Sequence, residues 1–501
     1  MGAKALMVQG TMSGAGKSLL VAGLCRVLAQ DGYRVAPFKS QNMALNSFVT
    51  SEGLEMGRAQ VTQAEAAGID PVAAMNPVLL KPTTNTGSQV VVQGKPIGTM
   101  SAREFFAFRH KLKEPIMDSF HELERRFDVV LIEGAGSPVE LNLKRDDIVN
   151  MGMARMANAP VLLVGDIDRG GVFAQLIGTM MLLSESERRY VRASVVNKFR
   201  GDATLFEDGV AILEEHMGVP VAGVVPYMPL DIDDEDSMAD RLLVRSTSEL
   251  VDVAILRLPR ISNFTDFAAL DAIDGVGVRY VSHADELGTP DLIIVPGTKS
   301  TLDDLRWLTS CGMGSAVVAA AHAGVPVFGI CGGYQMLGLF VEDPHGMEGG
   351  GEARGLGLLP VRTTFGTNKH TTQSKGIFCE VGGPLATLSG QPARGYEIHM
   401  GTTRREGGMP LLRLREPNGT ETLAGCVQNN VYGCYLHGLF DERATAQALV
   451  SALLEAKGLS AHAVEAHSMA AYRQHQYDLL ANGIRQSLNM DLVYRIIEEG
   501  I

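Results

Sequence analysis

The hydrophobic positions of the first half of the chain form short runs separated by stretches with helical spacing. Residues 19–28 are typical of the intervening stretches, because their apolar positions recur every three or four residues. Buried strands that alternate with helices indicate a mostly parallel sheet covered on both faces. The pattern therefore predicts a first α/β block, with strands at residues 5–9, 33–38, 127–132, 160–165, 193–197 and 220–225.

The second half repeats this pattern after an acidic stretch without periodicity at residues 231–236. Strands are predicted at residues 251–256, 277–281, 291–295, 325–330, 377–381 and 431–436, a helix at 441–457, and helical structure from about 460 to 501. The pattern predicts two α/β domains. We divide the chain into a first domain (1–227), a linker (228–250), a second domain (251–445) and a C-terminal helical segment (446–501).

Composition narrows the function classes. A chain of 501 residues is too long for one ordinary core. Its net charge of −13 argues against a broad nucleic-acid or anionic-membrane surface. The six cysteines have no metal-like spacing, which favours reduced thiols. No leader is evident, and no apolar run approaches the roughly 18 residues that span a bilayer. We expect a cytoplasmic protein without nucleic-acid or membrane partners.

The first strand runs into a glycine-rich loop that is followed by a helix. Glycines expose backbone N–H groups to phosphate, a lysine neutralises its charge, and a serine hydroxyl can ligate Mg²⁺. A standard Walker A loop would begin with glycine at position 11, where this chain has threonine. The longer loop resembles that of the dethiobiotin synthetase group of P-loop enzymes. The predicted phosphate-binding residues are Gly10, Thr11, Gly14, Gly16, Lys17 and Ser18.

Polar residues at the ends of other strands in the first block are candidates for the rest of this site, since ligands collect at the carboxyl edge of parallel sheets. Glu133 is the second candidate Mg²⁺ ligand, beside Ser18, and the segment at Asn197 resembles segments that contact an adenine base. Taken singly, such residues are as often helix caps or surface ion pairs. The candidates for binding phosphate or an acceptor substrate are Lys39, Gln41, Asn42, Asp166, Asp168 and Arg169.

The sharpest signal in the second block is a cysteine at a strand-to-helix turn. An apolar run ends at Cys331, two glycines follow, and a helical pattern begins. Glycines permit so tight a turn, and the start of a helix favours a thiolate. Cys331 is therefore predicted to be a nucleophile rather than a buried structural cysteine. The backbone amides of Gly332 and Gly297, which follows another strand, are candidates for an oxyanion hole.

A cysteine nucleophile needs a base. His437 ends an apolar strand and precedes a glycine, which is where a pair with Cys331 could assemble. His399 is the competitor, and it is equally compatible with a substrate contact or a structural role.

These motifs resemble a class I glutamine amidotransferase domain over residues 251 to about 445. The resemblance implies Cys331 as nucleophile and His437 as base. Most such domains place a glutamate two residues after the histidine, whereas this chain has Leu439. The cobyrinate branch of these domains lacks that glutamate, so the departure favours this branch. Glu397 is our candidate substitute for orienting His437, or else a substrate contact.

A dethiobiotin-synthetase-like P-loop domain, with a doubly wound parallel sheet, fused to such a glutaminase resembles the corrinoid amide synthases. Residues 39–43, 165–171 and 396–399 resemble the branch that amidates the b, d, e and g carboxylates of adenosylcobyrinic acid a,c-diamide. The resemblance implies ATP, Mg²⁺, glutamine and a corrinoid. It further implies that ammonia released at Cys331 attacks an acyl phosphate formed beside the P-loop.

Three alternatives stay open. One is the branch of the same family that amidates the a and c carboxylates, and a second is an enzyme that amidates cell-wall lipid II. The third, from a different class, is a partition-type ATPase with an inactive glutaminase-like domain, although Met12 replaces its signature lysine. The corrin-binding residues are not predicted. Arg169, Lys81 and Lys299 are plausible carboxylate partners, or ordinary surface cations.

Overall fold

A parallel sheet forms the centre of the first block. The computed structural model describes residues 2–83, 87–232, 250–461 and 463–501. The sheet consists of β1 (Lys4–Gly10), β2 (Val35–Phe38), β9 (Val129–Glu133), β10 (Val161–Asp166), β11 (Val191–Phe199) and β12 (Val221–Pro226). All of these strands are parallel, in the order β12-β11-β10-β1-β9-β2. The strands predicted for this block are confirmed, and central β1 brings the glycine-rich loop to the middle of the carboxyl edge.

Helices cover both faces of this sheet. The helices of the first block are α1 (Lys17–Gln30), α2 (Arg58–Ala66), α3 (Ala102–Phe108), α4 (Lys113–Arg126), α5 (Met151–Met156), α6 (Val172–Leu182), α7 (Glu185–Arg188) and α8 (Glu207–Met217), and all but the exposed α3 contribute buried residues. Successive residues of β1 enter different cores: Met7 packs in one, while Leu6 and Val8 pack in the other. The side chains of a strand alternate between the two faces of the sheet, and here the side chains on each face are buried in an apolar core.

Residues 41–101 contain short strands that the sequence pattern did not predict. They are β3 (Gln41–Met43), β4 (Ser47–Val49), β5 (Glu55–Gly57), β6 (Val78–Pro82), β7 (Gly87–Val92) and β8 (Lys95–Ser101). Four of them form a small sheet in the order β3-β6-β7-β8, and β4 pairs with β5 in a hairpin. Their brevity and mixed polarity leave little periodic signal.

The second block is built on another six-stranded sheet. Its strands are β13 (Val251–Leu256), β14 (Val276–Val281), β15 (Leu292–Val295), β16 (Val327–Ile330), β23 (Cys426–Gln428) and β24 (Val431–Cys434), in the order β14-β13-β15-β16-β24-β23. Only the β23 edge pairs antiparallel among the described strands of this sheet. The associated helices are α9 (Ala268–Asp271), α10 (Thr301–Ser310), α11 (Met313–His322), α12 (Gly332–Leu337) and α13 (Arg443–Ala456).

The second block contains a further, mixed sheet, and one of its strands differs from the prediction. It contains β17 (Phe340–Asp343), β18 (Gly351–Arg354), β19 (Val361–Phe378), β20 (Pro392–Arg405), β21 (Leu412–Arg415) and β22 (Glu421–Ala424). The strand predicted at 377–381 is wrong, because β19 starts at Val361 and ends at Phe378. Most of β19 is polar and half-exposed, so it lacks the apolar run by which buried strands were recognised. Thr371 of β19 donates a hydrogen bond to the Gly53 carbonyl oxygen of the first block at 2.8 Å.

The C-terminal segment does not form a unit of its own. Helices α14 (Met469–Ser487) and α15 (Met490–Glu499) return to the first block, where Leu480 and Ile484 are buried with Leu24 of α1. Helix α13 instead packs in the core of the second block. Most of the predicted linker, residues 233–249, lies outside the described residues. None of the helices in the described ranges combines the length and apolarity that crossing a membrane requires.

Candidate active sites

Cys331 occupies the tight turn between β16 and α12. Its backbone adopts φ 53° and ψ −110°, a strained combination for a residue with a side chain. The following glycines make the turn possible, since a Cβ on Gly333 would lie 1.8 Å from the carbonyl oxygen of Val295. The thiol is 8% exposed and lines a small cavity of about 40 Å³. The predicted strand-to-helix turn with a thiol at its tip is therefore present.

The glycines proposed for an oxyanion hole flank this cavity. A Cβ on Gly297 would approach Cε1 of His437 to 3.1 Å, and a Cβ on Gly332 would approach Cγ2 of Thr298 to 2.7 Å. Neither position has room for a larger residue without a shift. The N–H of Gly332 begins α12, so it has no acceptor one turn earlier in the helix. Gly332 lines the cavity and Gly297 lies against His437, so an oxyanion hole formed by their two amides stays a prediction.

His437 follows β24 and is 1% exposed. Its backbone N–H donates to the Tyr396 carbonyl oxygen at 2.8 Å, and the two rings stack with centroids 5.3 Å apart. His437 and Cys331 line the same cavity. The structure brings the predicted nucleophile and base together from positions that are distant in the sequence.

Asp266 orients the imidazole of His437. Nδ1 of His437 lies 2.6 Å from Oδ2 of Asp266, and Oδ1 of the same carboxylate accepts the N–H of Gly438 at 3.1 Å. Burial by itself lowers the pKa of His437, but the charge and hydrogen bond of Asp266, together with the Cys331 thiol, raise it to about 10. Residues 264–267 form a 3₁₀ turn shortly after β13, which places the carboxylate at the carboxyl edge of the sheet.

Glu397 is therefore not the group that orients His437, and this prediction is wrong. Its Oε2 lies 3.4 Å from Nε2 of His399 and 4.0 Å from Nε2 of His370. These residues lie on the paired strands β19 and β20, and their ligand atoms are within 4.8 Å of one another, as a metal site would require. His399 also lines the cavity, so a substrate contact by His399 stays a prediction.

The first block contributes a buried ionic network to this cavity. Lys81 of β6 lines the cavity and donates to Glu55 at 2.7 Å, and Lys369 of β19 donates to the other carboxylate oxygen at 2.5 Å. Burial lowers the pKa of Lys369 to about 8 although Glu55 opposes the shift. Burial also lowers the pKa of Lys299, which lines the same cavity. Lys81 and Lys299 are thus buried cations beside Cys331 rather than surface residues.

The glycine-rich loop has the geometry of a phosphate cradle. Gly14 and Gly16 have φ values of 75° and 84°, which a side chain would oppose. Lys17 is 7% exposed and donates to the carbonyl oxygen of Met12 at 3.1 Å. Gly10 ends β1, and Thr11 donates to the Gln175 side chain at 3.0 Å. Gly14, Gly16 and Lys17 therefore surround the predicted phosphate position, whereas the Thr11 hydroxyl is held by α6.

Glu133 is the centre of a polar cluster below this loop. Its Oε1 accepts hydrogen bonds from Ser18 and from Lys39, each at 2.8 Å. Its Oε2 accepts from Gln63 at 2.6 Å, and the carboxylate is 1% exposed. A carboxylate next to a P-loop hydroxyl supplies the oxygen ligands that Mg²⁺ prefers. Ser18 and Glu133 thus fit the predicted metal site, and Lys39 belongs to the same cluster.

The residues that end β10 and β11 lie on one side of the loop. Asn197 donates to the Ala15 carbonyl oxygen at 2.9 Å, which fixes the loop from the β11 side. Asp166 is fully buried and pairs with Lys198 at 3.0 Å, while the exposed Asp168 pairs with Arg200 at 2.6 Å. Their carboxylates are thus engaged in ion pairs with neighbouring strand-end residues.

The remaining candidates for contact with an acceptor substrate lie in different environments. Arg169 is exposed near Gly14, with Nη2 4.0 Å from a Cβ built there. Gln41 lines a large cleft beside the loop. Asn42 is 3% exposed, donates to Gln60 at 3.0 Å and is not part of that lining. A direct contact with an acceptor is therefore supported for Gln41 rather than for Asn42.

Sequence reasoning missed Asp266, Glu55 and Lys369, as well as Gln63. Asp266 follows β13 by ten residues, so attention to polar residues after each strand of the second sheet would have included it. Glu55 and Lys369 meet only because the β4–β5 hairpin packs against β19, and neither segment carried a periodic signal.

A family model matches each of the two blocks. Residues 6–238 match the CobQ/CobB/MinD/ParA nucleotide binding domain, and residues 252–445 match the CobB/CobQ-like glutamine amidotransferase domain. The protein is thus a glutamine amidotransferase joined to a P-loop nucleotide-binding domain. A chain in the solved structure of PurLQS from Thermotoga maritima is 20% identical, and the match covers 41% of this chain and 99% of that chain with a TM-score of 0.31.

Relatives that match along their whole length identify the family. Cobyric acid synthase from Ruminiclostridium cellulolyticum is 52% identical over 100% of this chain and 98% of its own. Cobyric acid synthase from Lachnoclostridium phytofermentans is 51% identical over 100% of both chains. The chain belongs to the cobyric acid synthase family, whose members carry out glutamine-dependent amidation in cobalamin biosynthesis.

Proposed function

We propose that the protein amidates the b, d, e and g side-chain carboxylates of adenosylcobyrinic acid a,c-diamide, with ATP to activate each carboxylate and glutamine as nitrogen source. The observation that carries the proposal is the match to cobyric acid synthases along the whole chain. The structure adds that Lys81, a residue of the nucleotide-binding block, lines the cavity that contains Cys331 and His437. Ammonia released in that cavity therefore starts its path at the boundary between the two blocks.

In the glutaminase half, the Cys331 thiolate attacks the side-chain amide carbon of glutamine. The N–H groups of Gly297 and Gly332 stabilise the oxyanion. Burial lowers the pKa of His437, but Asp266 and Cys331 raise it to about 10, so His437 is protonated near neutrality and can give its proton to the departing ammonia. Water then hydrolyses the thioester, and His437 takes up the proton of that water.

In the synthetase half, a substrate carboxylate attacks the γ-phosphate of ATP, and ADP leaves. The amides of Gly14 and Gly16 and the Lys17 ammonium hold the phosphates. Ser18 and Glu133 would hold Mg²⁺, which neutralises phosphate charge when bound. Asn197 lies on the side of the loop proposed for the base. The resulting acyl phosphate is attacked by ammonia, phosphate leaves, and the amide is formed.

The proposal includes a location in the cell. All six cysteines are free thiols, as expected in a reducing compartment, so we place the protein in the cytoplasm. The net charge of −13 gives no support for a nucleic-acid partner.

One experiment tests the glutaminase activity and the synthetase activity separately. Cys331→Ala should abolish synthesis from glutamine and retain synthesis from added ammonium, while Cys311→Ala, at an exposed cysteine, should retain both. Mass spectrometry of products from isotopically labelled glutamine should count one amide for each of the b, d, e and g positions. Amidation at only the a and c positions of cobyrinic acid would place the protein in the other branch. If Cys331→Ala loses synthesis from glutamine and synthesis from ammonium to the same extent, the proposed division of labour between the two blocks is contradicted.

A further inference from the structure

A large cleft lies beside the glycine-rich loop. Its volume is about 760 Å³, within the roughly 300–1,000 Å³ typical of small-molecule sites. One end is formed by Ser13 of the loop and by Gly136, which follows β9. The opposite walls come from β3, β6 and α3, through residues such as Met43, Leu80 and Phe106. The cleft thus joins the phosphate site to the small sheet.

Its walls are unusually apolar for so open a region. Met43 is 59% exposed, Phe106 37% and Leu143 48%, and all three line the cleft. Large exposed apolar side chains that converge on one concavity are typical of a binding site rather than of an ordinary surface. Phe105 and Met100 extend the same wall.

The cleft also carries cations. Arg109 lies over the ring of Phe106 with Cζ 3.8 Å from the centroid, and its Nη2 donates to the Leu143 carbonyl oxygen at 3.0 Å. Its Nε is buried and has no hydrogen-bond partner among the residues that the structure describes. Lys144 adds a second positive charge to the lining, paired with Glu187 at 2.6 Å, and the lining also includes the carboxylates of Glu140 and Asp147. A ligand with carboxylate or amide oxygens could satisfy the Arg109 donor.

The loop after β9, which forms one wall of the cleft, is held in place by its own hydrogen bonds. The side chain of Asn150 is 4% exposed, accepts the Ala135 N–H at 3.1 Å and donates to the carbonyl oxygens of Ala135 and Ser137 at 2.6 and 3.2 Å. The Asp147 carboxylate accepts the N–H groups of Val149, Asn150 and Gly152. These bonds fix the loop after β9 without a ligand.

The cleft and the position proposed for the nucleotide base lie on opposite sides of β1. The cleft is lined by residues that follow β2 and β9, whereas Asn197 and Lys198 end β11. In the sheet, β9 and β2 lie on one side of β1, and β10 and β11 lie on the other. A nucleotide whose base lies toward Asn197 leaves the cleft free for the group that receives the phosphate.

We infer that this cleft binds the corrinoid acceptor, with the macrocycle against Phe106, Met43 and Leu143 and with Arg109 on a peripheral carboxylate or amide. The inference rests on the proposed function. A carboxylate that reaches past Gln41 to Ser13 and Gly136 would stand at the phosphate site. Each amidation then requires a different edge of the macrocycle to face the loop, so the acceptor must bind again in a new orientation. An apolar wall permits this because it fixes the ring without fixing its rotation.

The test is a titration of adenosylcobyrinic acid a,c-diamide, followed by its visible absorbance, in the presence of a non-hydrolysable ATP analogue. Phe106→Ala and Arg109→Ala should each raise the Kd for the corrinoid about tenfold or more. In steady-state synthesis they should raise the corrinoid KM and leave the KM for ATP as in the parent. Leu205→Ala, at an apolar residue 84% exposed after β11, is the matched control and should keep the parent Kd.

The outcomes distinguish this inference from the proposed function. If the parent binds the corrinoid and both variants bind it equally well, the cleft is not the acceptor site, although the proposed function stands. If the parent binds no corrinoid, both are overturned. Thermal unfolding of each variant checks its fold. Should Phe106→Ala unfold, Met43→Ser at the 59% exposed neighbour tests the same wall.

Discussion

Nδ1 of His437 lies 2.6 Å from Oδ2 of Asp266, across 171 positions of sequence. Both side chains are buried, and the second oxygen of Asp266 is held by the N–H of Gly438 at 3.1 Å. The carboxylate therefore fixes both the ring and the backbone that carries it. In this position it keeps a proton on Nδ1 and leaves Nε2 for the reaction, as the acid of a catalytic triad does.

The first prediction concerns Asp266→Asn. It should lower kcat for glutamine hydrolysis about a hundredfold or more, because an amide can hold the wrong tautomer of His437 and no longer stabilises its charge. Synthesis from ammonium should be retained. Release of glutamate is the measurement, and Asp274→Asn, at an exposed aspartate, is the matched control. A larger loss in Glu397→Gln than in Asp266→Asn would show that Asp266 has been given the wrong role.

The second prediction is a shift in pH dependence. Burial lowers the pKa of His437, while Asp266 and Cys331 raise it to about 10, so protonated His437 is present below that pH and is lost as the pH rises through it. Without the Asp266 charge, the largest of the causes that raise the pKa is lost, so the pKa of His437 falls. The alkaline limb of kcat/KM for glutamine hydrolysis should therefore move to lower pH in Asp266→Asn. Profiles from about pH 6 to about pH 11 measure the shift, and an unmoved limb would contradict this assignment.

The parallel strands of the two six-stranded sheets were predictable because burial on both faces leaves apolar runs bounded by glycines and polar residues, whereas the short antiparallel edge strand β23 was not predicted. Cys331 and the glycine-rich loop were predictable for the same reason, since each follows such a run directly. Their chemistry is local: the residues that shape the turn are neighbours in the sequence.

Asp266 and the ionic network were not predictable in this way. Each depends on how elements that are distant in the sequence meet in space. The contact of Asp266 with His437 depends on the order of β13 and β24 in one sheet. The contact of Glu55 with Lys369 depends on the packing of a hairpin against β19. The amphipathic pattern of α14 likewise predicts a helix but does not name its partner. That partner is α1, more than four hundred residues earlier, as the contact between Arg26 and Asp478 at 2.8 Å shows.

The third prediction concerns Glu133, whose Oε1 accepts the Ser18 hydroxyl at 2.8 Å. Glu133→Gln should reduce synthesis about a hundredfold with either nitrogen source, since the amide weakens the proposed metal site and leaves Lys39 without its buried carboxylate. Removal of Mg²⁺ with a chelator should stop synthesis in the parent in the same way. Amide formation from ammonium is the measurement. A parent that works equally well after chelation would contradict a metal site at Ser18 and Glu133.

The fourth prediction uses two glycines in helix interiors. A Cβ on Gly23 of α1 would lie 2.7 Å from Cγ1 of Ile484 and 3.1 Å from Cγ of Leu480, both on α14. Gly23→Ala should therefore lower the free energy of unfolding by about 1–3 kcal/mol. At Gly178 of α6 nothing lies within 4 Å of an added Cβ, so Gly178→Ala should raise it by up to about 1 kcal/mol. Urea unfolding measures both, and a change of the same sign in both would contradict the close packing of α14 on α1.

The last prediction concerns Glu55, which is fully buried and accepts Lys81 at 2.7 Å and Lys369 at 2.5 Å. Glu55→Gln leaves two buried ammonium groups without their shared carboxylate and should cost about 3–5 kcal/mol of stability. Glu52→Gln, at an exposed glutamate of the same hairpin, is the control and should change stability by less than about 0.5 kcal/mol.

Loss of this network should also alter the transfer of ammonia. Lys81 lines the cavity around Cys331, and its neighbours in β6, Leu80 and Pro82, line the cleft beside the glycine-rich loop, so one strand separates the two spaces. Because Glu55 anchors Lys81 and Lys369 at that wall, Glu55→Gln should lower the amount of amide formed per glutamate released. Product ratios at saturating glutamine measure this. Parent-like stability together with a parent-like ratio would show that the network neither holds the blocks together nor shapes the wall between them.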